Sequence, residues 1–133
     1  MKVSLKNKLS EIHRLSEMVE AYAEQEKLSA RFVHTLTLVL DELITNVISY
    51  GYDDENEHTI NVEVTRNSKA VTVMISDDAK PYNPFDSPAP DVDLPIEERD
   101  IGGLGVHFVK ELMDEFHYRF EDGCNIVTLL KKL

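Results

Sequence analysis

Glu42 and Asn46 in "LDELITN" stand four residues apart, a spacing that a helix turns into two side chains stacked on one face. A carboxylate at Glu42 can take a proton from a nucleophile, and the amide oxygen of Asn46 can be offered to a hard cation such as magnesium. Asp41 and Thr45 form the neighbouring pair. A solvated helix face has the same spacing, so the pair alone does not decide between the two readings. Asp77 in "MISDDAKPYNP" falls where an alternating β-branched run stops. An acid there either starts a turn or, held over an apolar cleft, accepts a hydrogen bond from an exocyclic amine such as that of adenine. Further on, "GGLGVHFVKELMD" spends Gly102, Gly103 and Gly105 within four positions and then runs into a helical pattern. Glycines at a helix entrance serve either a turn of positive φ or a backbone that approaches an anion closely and aims its amides at it.

The elements that must position these residues are legible from periodicity. Leu9, Ile12, Leu15, Val19, Tyr22 and Ala23 recur at three- and four-residue steps, which predicts a first helix over 9–27. Ser29 is placed to cap a second helix whose apolar face runs from Phe32 to Ile48, with Gly51 offering a stop. That helix is apolar around most of its circumference, which favours its polar side chains lining an interior pocket. "TINVEVTR" and "AVTVMISD", separated by "NSK", predict an antiparallel hairpin. "FHYRFE" and "NIVTLLKKL", flanking the turn "DGC", predict a second, and "MKVSL" an edge strand. Between the halves, "KPYNPFDSPAPDVDLPIEERDI" holds all five prolines and ends at the glycines. A structureless stretch of about twenty residues inside a compact domain is uncommon, and when real it is often an active-site lid or binding loop. The expected architecture is an α/β two-layer sandwich: a mixed, largely antiparallel sheet covered on one face by three helices, the third over 104–115.

The chain of 133 residues suits one domain over 1–133. With 25 acidic against 14 basic residues its formal charge is −11, which argues against nucleic acid and against direct binding to an anionic membrane. The single cysteine, Cys124, precludes an internal disulfide and points to a reducing, cytoplasmic setting. Neither a leader nor an uninterrupted apolar span is apparent, since "FVHTLTLVL" is broken by polar residues. His13, His34, His58, His107 and His117 show no short metal-ligand spacing, so they and Cys124, placed in a turn, read as structural or exposed.

Taken in order, "LDELITN", "SDDAKPYNP" and "IGGLGVHFVKELMD" resemble the N, G1 and G2 boxes of the GHKL ATPase superfamily, which includes gyrase, histidine kinases and a heat-shock chaperone. The likeness runs from the second helix to "NIVTLLKKL" and is strongest to the small RsbW-like anti-sigma factors, which are single-domain serine protein kinases. The resemblance implies ATP and Mg2+ as cofactors. Asn46 would help hold the magnesium ion on the triphosphate, and Glu42 would accept the proton of the attacking serine hydroxyl. Asp77 would recognise the adenine amino group. Gly102, Gly103 and Gly105 would let a lid at about 80–101 close over the phosphates, and Arg99 would reach the γ-phosphate. The implied partners are a STAS-type anti-sigma factor antagonist, phosphorylated on serine in a partner-switching system that regulates transcription, and a sigma factor; relatives of this kind often form homodimers.

Two features depart from the pattern. Asp77 is followed by Asp78 and Ala79 where the G1 box reads D-x-G, so the turn beneath the adenine must take another shape or bind nucleotide less tightly. Six acids between Asp86 and Asp100 also surround the lone Arg99. A non-catalytic module that sequesters a sigma factor or other regulator is therefore the alternative to the kinase. A histidine-kinase fragment is disfavoured because His13 in "EIHRLSE" lacks a phospho-acceptor context. Tyr50 stands where some relatives place histidine and is given no catalytic role.

Overall fold

A computed structural model describes residues 1–86 and 103–133, and of 103–105 the backbone alone. The chain runs β1 (Lys2–Lys6), α1 (Glu11–Gln25), α2 (Ala30–Tyr50), β2 (Thr59–Arg66), β3 (Ala70–Asp77), a 3-10 turn (Pro84–Asp86), α3 (Gly103–Leu112), β4 (Glu115–Glu121) and β5 (Cys124–Lys132). The strands form one sheet in the order β1-β2-β3-β5-β4. Every neighbouring pair is antiparallel, so the sheet is less mixed than the sequence suggests. β5 returns between β3 and β4, which sets Asp77 directly opposite Asn125.

Strand alternation sends one face inward. Val3, Leu5, Ile60, Val62, Val64, Val73, Ile75 and Leu129 form a single core with Leu15 and Val19 of α1, Leu36, Leu40 and Ile44 of α2, and Val109 of α3. Leu36, Ile44, Ile60 and Leu129 are wholly buried, each stabilising the fold by about 1.5–3 kcal/mol relative to exposure. On the other face Lys2, Ser4, Asn61, Glu63, Met74 and Ser76 border an open groove.

The local signals explain most boundaries. The Ser29 side chain accepts a hydrogen bond from the Phe32 amide at 3.1 Å and so caps α2. α2 has the length and composition of a membrane-crossing helix, contrary to the interrupted pattern read from the sequence. Here it is the central core helix, burying Phe32, Leu36, Val39, Leu40, Leu43 and Ile44 against the sheet. The second hairpin turns through Asp122 (φ 53°) and Gly123 (φ 78°), a two-residue turn whose positive φ values match strand twist. Cys124 consequently opens β5 rather than lying in the turn.

Gly51 ends α2 for a reason other than backbone freedom. Its φ of −78° is ordinary for any residue. A Cβ there would instead sit 2.6 Å from the Val47 carbonyl oxygen and 2.9 Å from the Ala79 methyl.

Candidate functional site

The last two turns of α2, the end of β3, the start of β5 and the segment after β3 enclose a cavity of about 410 Å³. That volume lies within the range of small-molecule sites. Leu43, Val47, Ile75 and Val127 make its walls apolar, while Tyr50, Pro81, Tyr82 and Pro84 belong to the segments that frame it. Its polar lining includes Asn46, Asp77 and Asn125, from three different elements.

Asp77 ends β3 and is almost fully buried, at 6% exposure. Its Oδ1 accepts from the Ala79 amide at 3.0 Å and from Asn125 Nδ2 at 2.9 Å. Oδ2 takes part in neither of these bonds, and Asp77 lines the cavity. Burial pushes the Asp77 carboxyl above its ordinary range, partly offset by Asn125 and the Ala79 amide. The result is an oriented acceptor in an apolar pocket.

Asn46 lines the same cavity from α2. Its Nδ2 donates to Glu42 Oε1 at 3.3 Å, which leaves Oδ1, the atom a hard cation would take. Glu42 sits one turn earlier and is half-buried; burial raises its carboxyl, against the lowering effect of the Asn46 bond, with the Asp41 charge adding to the rise. Thr45 bonds Asp41 at 3.4 Å on the exposed side of α2. The structure thus brings Asn46 and Asp77 to one cavity and ties Glu42 to it through Asn46. Gly103 and Gly105 lie in the first turn of α3. Arg99, Gly102 and Pro88, Pro90 and Pro95 lie outside the described residues, as does most of the stretch read as a lid.

The departure at Ala79 is resolved by shape. Among the described residues only Lys27, Asp122 and Gly123 have positive φ, so the turn after Asp77 needs no glycine. The Ala79 methyl instead occupies the space that Gly51 leaves empty.

Sequence reasoning missed Asn125. A polar residue stands at an inward position of β5, where Val127 and Leu129 come next on the same face, and that break in the apolar alternation was the available signal. It also missed a clamp beside the cavity. His58 puts Nε2 2.8 Å from Asp54 and Nδ1 3.3 Å from Asp78, and Tyr52 stacks on its ring with centroids 4.0 Å apart. Tyr52 also donates to Asp78 at 2.9 Å. The His58 ring is raised above its usual range first by its bond to Asp54, against the lowering effect of burial, with the bond to Asp78 and the charges of both acids adding to the rise. Burial alone would raise Asp78, but bonds from Tyr52 and His58 outweigh it and hold the carboxyl low. His58 is therefore no idle surface residue.

A sheet layered with helices on one face, with a cavity between the central helix and the strand ends, is the architecture of histidine kinase-like ATPase domains. The chain belongs to that family, whose model matches residues 5–131. It is similar to the serine/threonine-protein kinase BtrW of Bordetella bronchiseptica, 27% identical over 84% of this chain and 78% of that protein. It is also similar to the serine-protein kinase RsbW of Listeria monocytogenes, 25% identical over 79% of this chain and 69% of the relative. Among solved structures it superimposes on the histidine kinase domain of the Erythrobacter litoralis EL346 blue-light activated histidine kinase with a TM-score of 0.57. That match covers 94% of this chain and 60% of the other at 13% identity, a likeness of fold.

Proposed function

We propose that the chain is an ATP-dependent serine/threonine-protein kinase of the anti-sigma type. The observation that carries this reading is the cavity itself, with the free Oδ2 of Asp77 in its lining and the free Oδ1 of Asn46 supplied by α2. Asp77 accepts the adenine amino group, and the apolar walls take the ring. Asn46 Oδ1 is the oxygen that fits a magnesium ion, which when bound would neutralise charge on the triphosphate. Glu42 accepts the proton of a serine hydroxyl as that oxygen bonds to the γ-phosphorus and the bond to the ADP oxygen breaks. A carboxyl raised by burial is a better base for that step than an ordinary one. Arg99, Gly102, Gly103 and Gly105 are assigned to the phosphates.

The similarity to proteins named as serine kinases supports the reaction type. The substrate we assign is a serine of a STAS-type antagonist, with a sigma factor as the competing partner, in the cytoplasm and in a chain that pairs with itself. The alternative of a non-catalytic sequestering module drew its support from Ala79, and Gly51 makes room for that residue.

Calorimetric titration with ATP, with and without magnesium, alongside Asn46→Ala, tests the reading. Saturable binding that needs magnesium and fails in the variant is expected. No binding to the unaltered chain would leave the sequestering module as the better account.

A further inference from the structure

Both ring nitrogens of His58 face carboxylate oxygens: Nε2 lies 2.8 Å from Asp54 Oδ1, and Nδ1 lies 3.3 Å from Asp78 Oδ2. Asp54 Oδ1 also accepts the Asn56 amide at 2.9 Å, and Asp78 Oδ1 accepts the Tyr52 hydroxyl at 2.9 Å. Both acids are exposed and their carboxyls are held low, so each is an ionised acceptor. A neutral imidazole has one N–H and one lone pair, and would set that lone pair against a carboxylate. The arrangement therefore requires the doubly protonated ring. When the ring loses a proton, the shorter contact with Asp54 keeps its N–H and the longer one with Asp78 is broken.

That contact joins two segments that frame the cavity. Asp78 is followed by Ala79, Lys80, Pro81 and Tyr82, all of which line it, and the loop that carries Asp54 and His58 begins at Gly51, which lines it too. The same segments meet through the Lys80 amide on the Gly51 carbonyl at 3.2 Å and the Lys80–Asp53 ion pair at 3.0 Å. Tyr52, stacked on the ring, bonds Asp78, and burial raises its hydroxyl, so it remains a donor. On the β1 side, uncharged Asn7 bonds the His58 backbone, while Lys6 and Lys8 pair with Glu57.

We propose that His58 is a positioning residue for the cavity: as an imidazolium it pins the segment after β3 to the loop after α2, and loss of one proton withdraws the pin. The raised ring keeps the pin in place below the ordinary value of 6.5 and loses it as pH rises through the folded value. Ligand affinity then weakens toward alkaline pH. The remaining links between the segments limit the loosening to about two- to fivefold, the scale of a partly exposed ion pair. The pin stands on this geometry, and its effect on a nucleotide rests on the kinase reading.

The Lys80 amide reports the junction directly. Its hydrogen-exchange protection in the unliganded chain, read by NMR and corrected for intrinsic rates, is expected to fall about two- to fivefold between about pH 6 and about pH 8.5. Affinity for MgADP, read by calorimetry and compared with His58→Gln so that titration of the nucleotide cancels, should fall by the same factor. His58→Gln cannot face two acids at once, and should hold Lys80 at the lower protection throughout. Asp78→Asn separates the pin from general bracing. Its amide oxygen accepts the Tyr52 hydroxyl and its nitrogen donates to the bare Nδ1 of a neutral ring, so protection should stay high at both pH values.

Protection that is flat with pH in the unaltered chain, or that falls as far in either variant, overturns the pin. A pH-dependent junction with no matching change in MgADP affinity overturns its control of the cavity. If the junction behaves as expected and MgADP does not bind at all, the kinase reading falls and the pin stands.

Discussion

In the proposed reaction Glu42 is the base, and the fold makes its carboxyl more basic. Because burial is the first cause of the rise, the group is protonated to a higher pH than a free glutamate. Phosphoryl transfer that uses it as the base should rise with pH through that raised value and fall on the acid side. Glu42→Gln should keep the fold and ATP affinity while lowering the transfer rate by about a hundred- to ten-thousandfold. Single-turnover kinetics across pH would check both. A variant with an unchanged rate would remove Glu42 from the chemistry.

Among the elements, the end of α2 and the loop after it bear most of the constraint. Gly51→Ala would press a methyl against the Val47 carbonyl and the Ala79 side chain, and overpacking of this kind costs about 1–3 kcal/mol. Urea unfolding should show that loss. Adding Ala79→Gly should recover only part of it, because the contact with the Val47 backbone remains. The His58 clamp has a sign of its own. Its folded pKa lies above the ordinary value of 6.5, so its stabilisation is fully present below that value. It is lost as pH rises through the raised folded one. The difference in Tm between the unaltered chain and His58→Gln should thus be larger at about pH 6 than at about pH 8.5. Equal differences at both would mean the imidazole bears no charge in the clamp.

The same elements show what a sequence can and cannot disclose. Ser29, the alternating runs of β2 and β3, and the α2 stripe are local patterns, and they announced the cap, the hairpin and the core helix. Glu42 and Asn46 were legible for the same reason, one helical turn apart. Asn125 was not, because its partner Asp77 lies 48 residues earlier and only strand order joins them. His58 and Asp78, 20 residues apart, were hidden likewise. Gly51 was noticed as a stop, but the neighbour that requires it, Ala79, becomes apparent only in three dimensions.

At the scale of the whole molecule, charge governs approach. A chain of net charge −11 repels a triphosphate at long range, and salt screens such repulsion beyond about 10 Å at 0.1 M. The association rate of ATP should therefore increase between about 20 and 200 mM salt, the opposite of a basic phosphate site. Stopped-flow mixing would check this; a falling rate would mean that local positive charge at the site dominates.

The strand order has a further consequence during synthesis. β5 fills the gap between β3 and β4 and supplies Asn125 to the cavity, yet it follows the other four strands of this sheet in the chain and leaves the ribosome after them. Until it emerges, β3 presents an unpaired edge flanked by Val71, Val73 and Ile75, the kind of edge on which nascent chains aggregate. The pocket is thus completed in the same event that seals the sheet, and a half-made chain has neither.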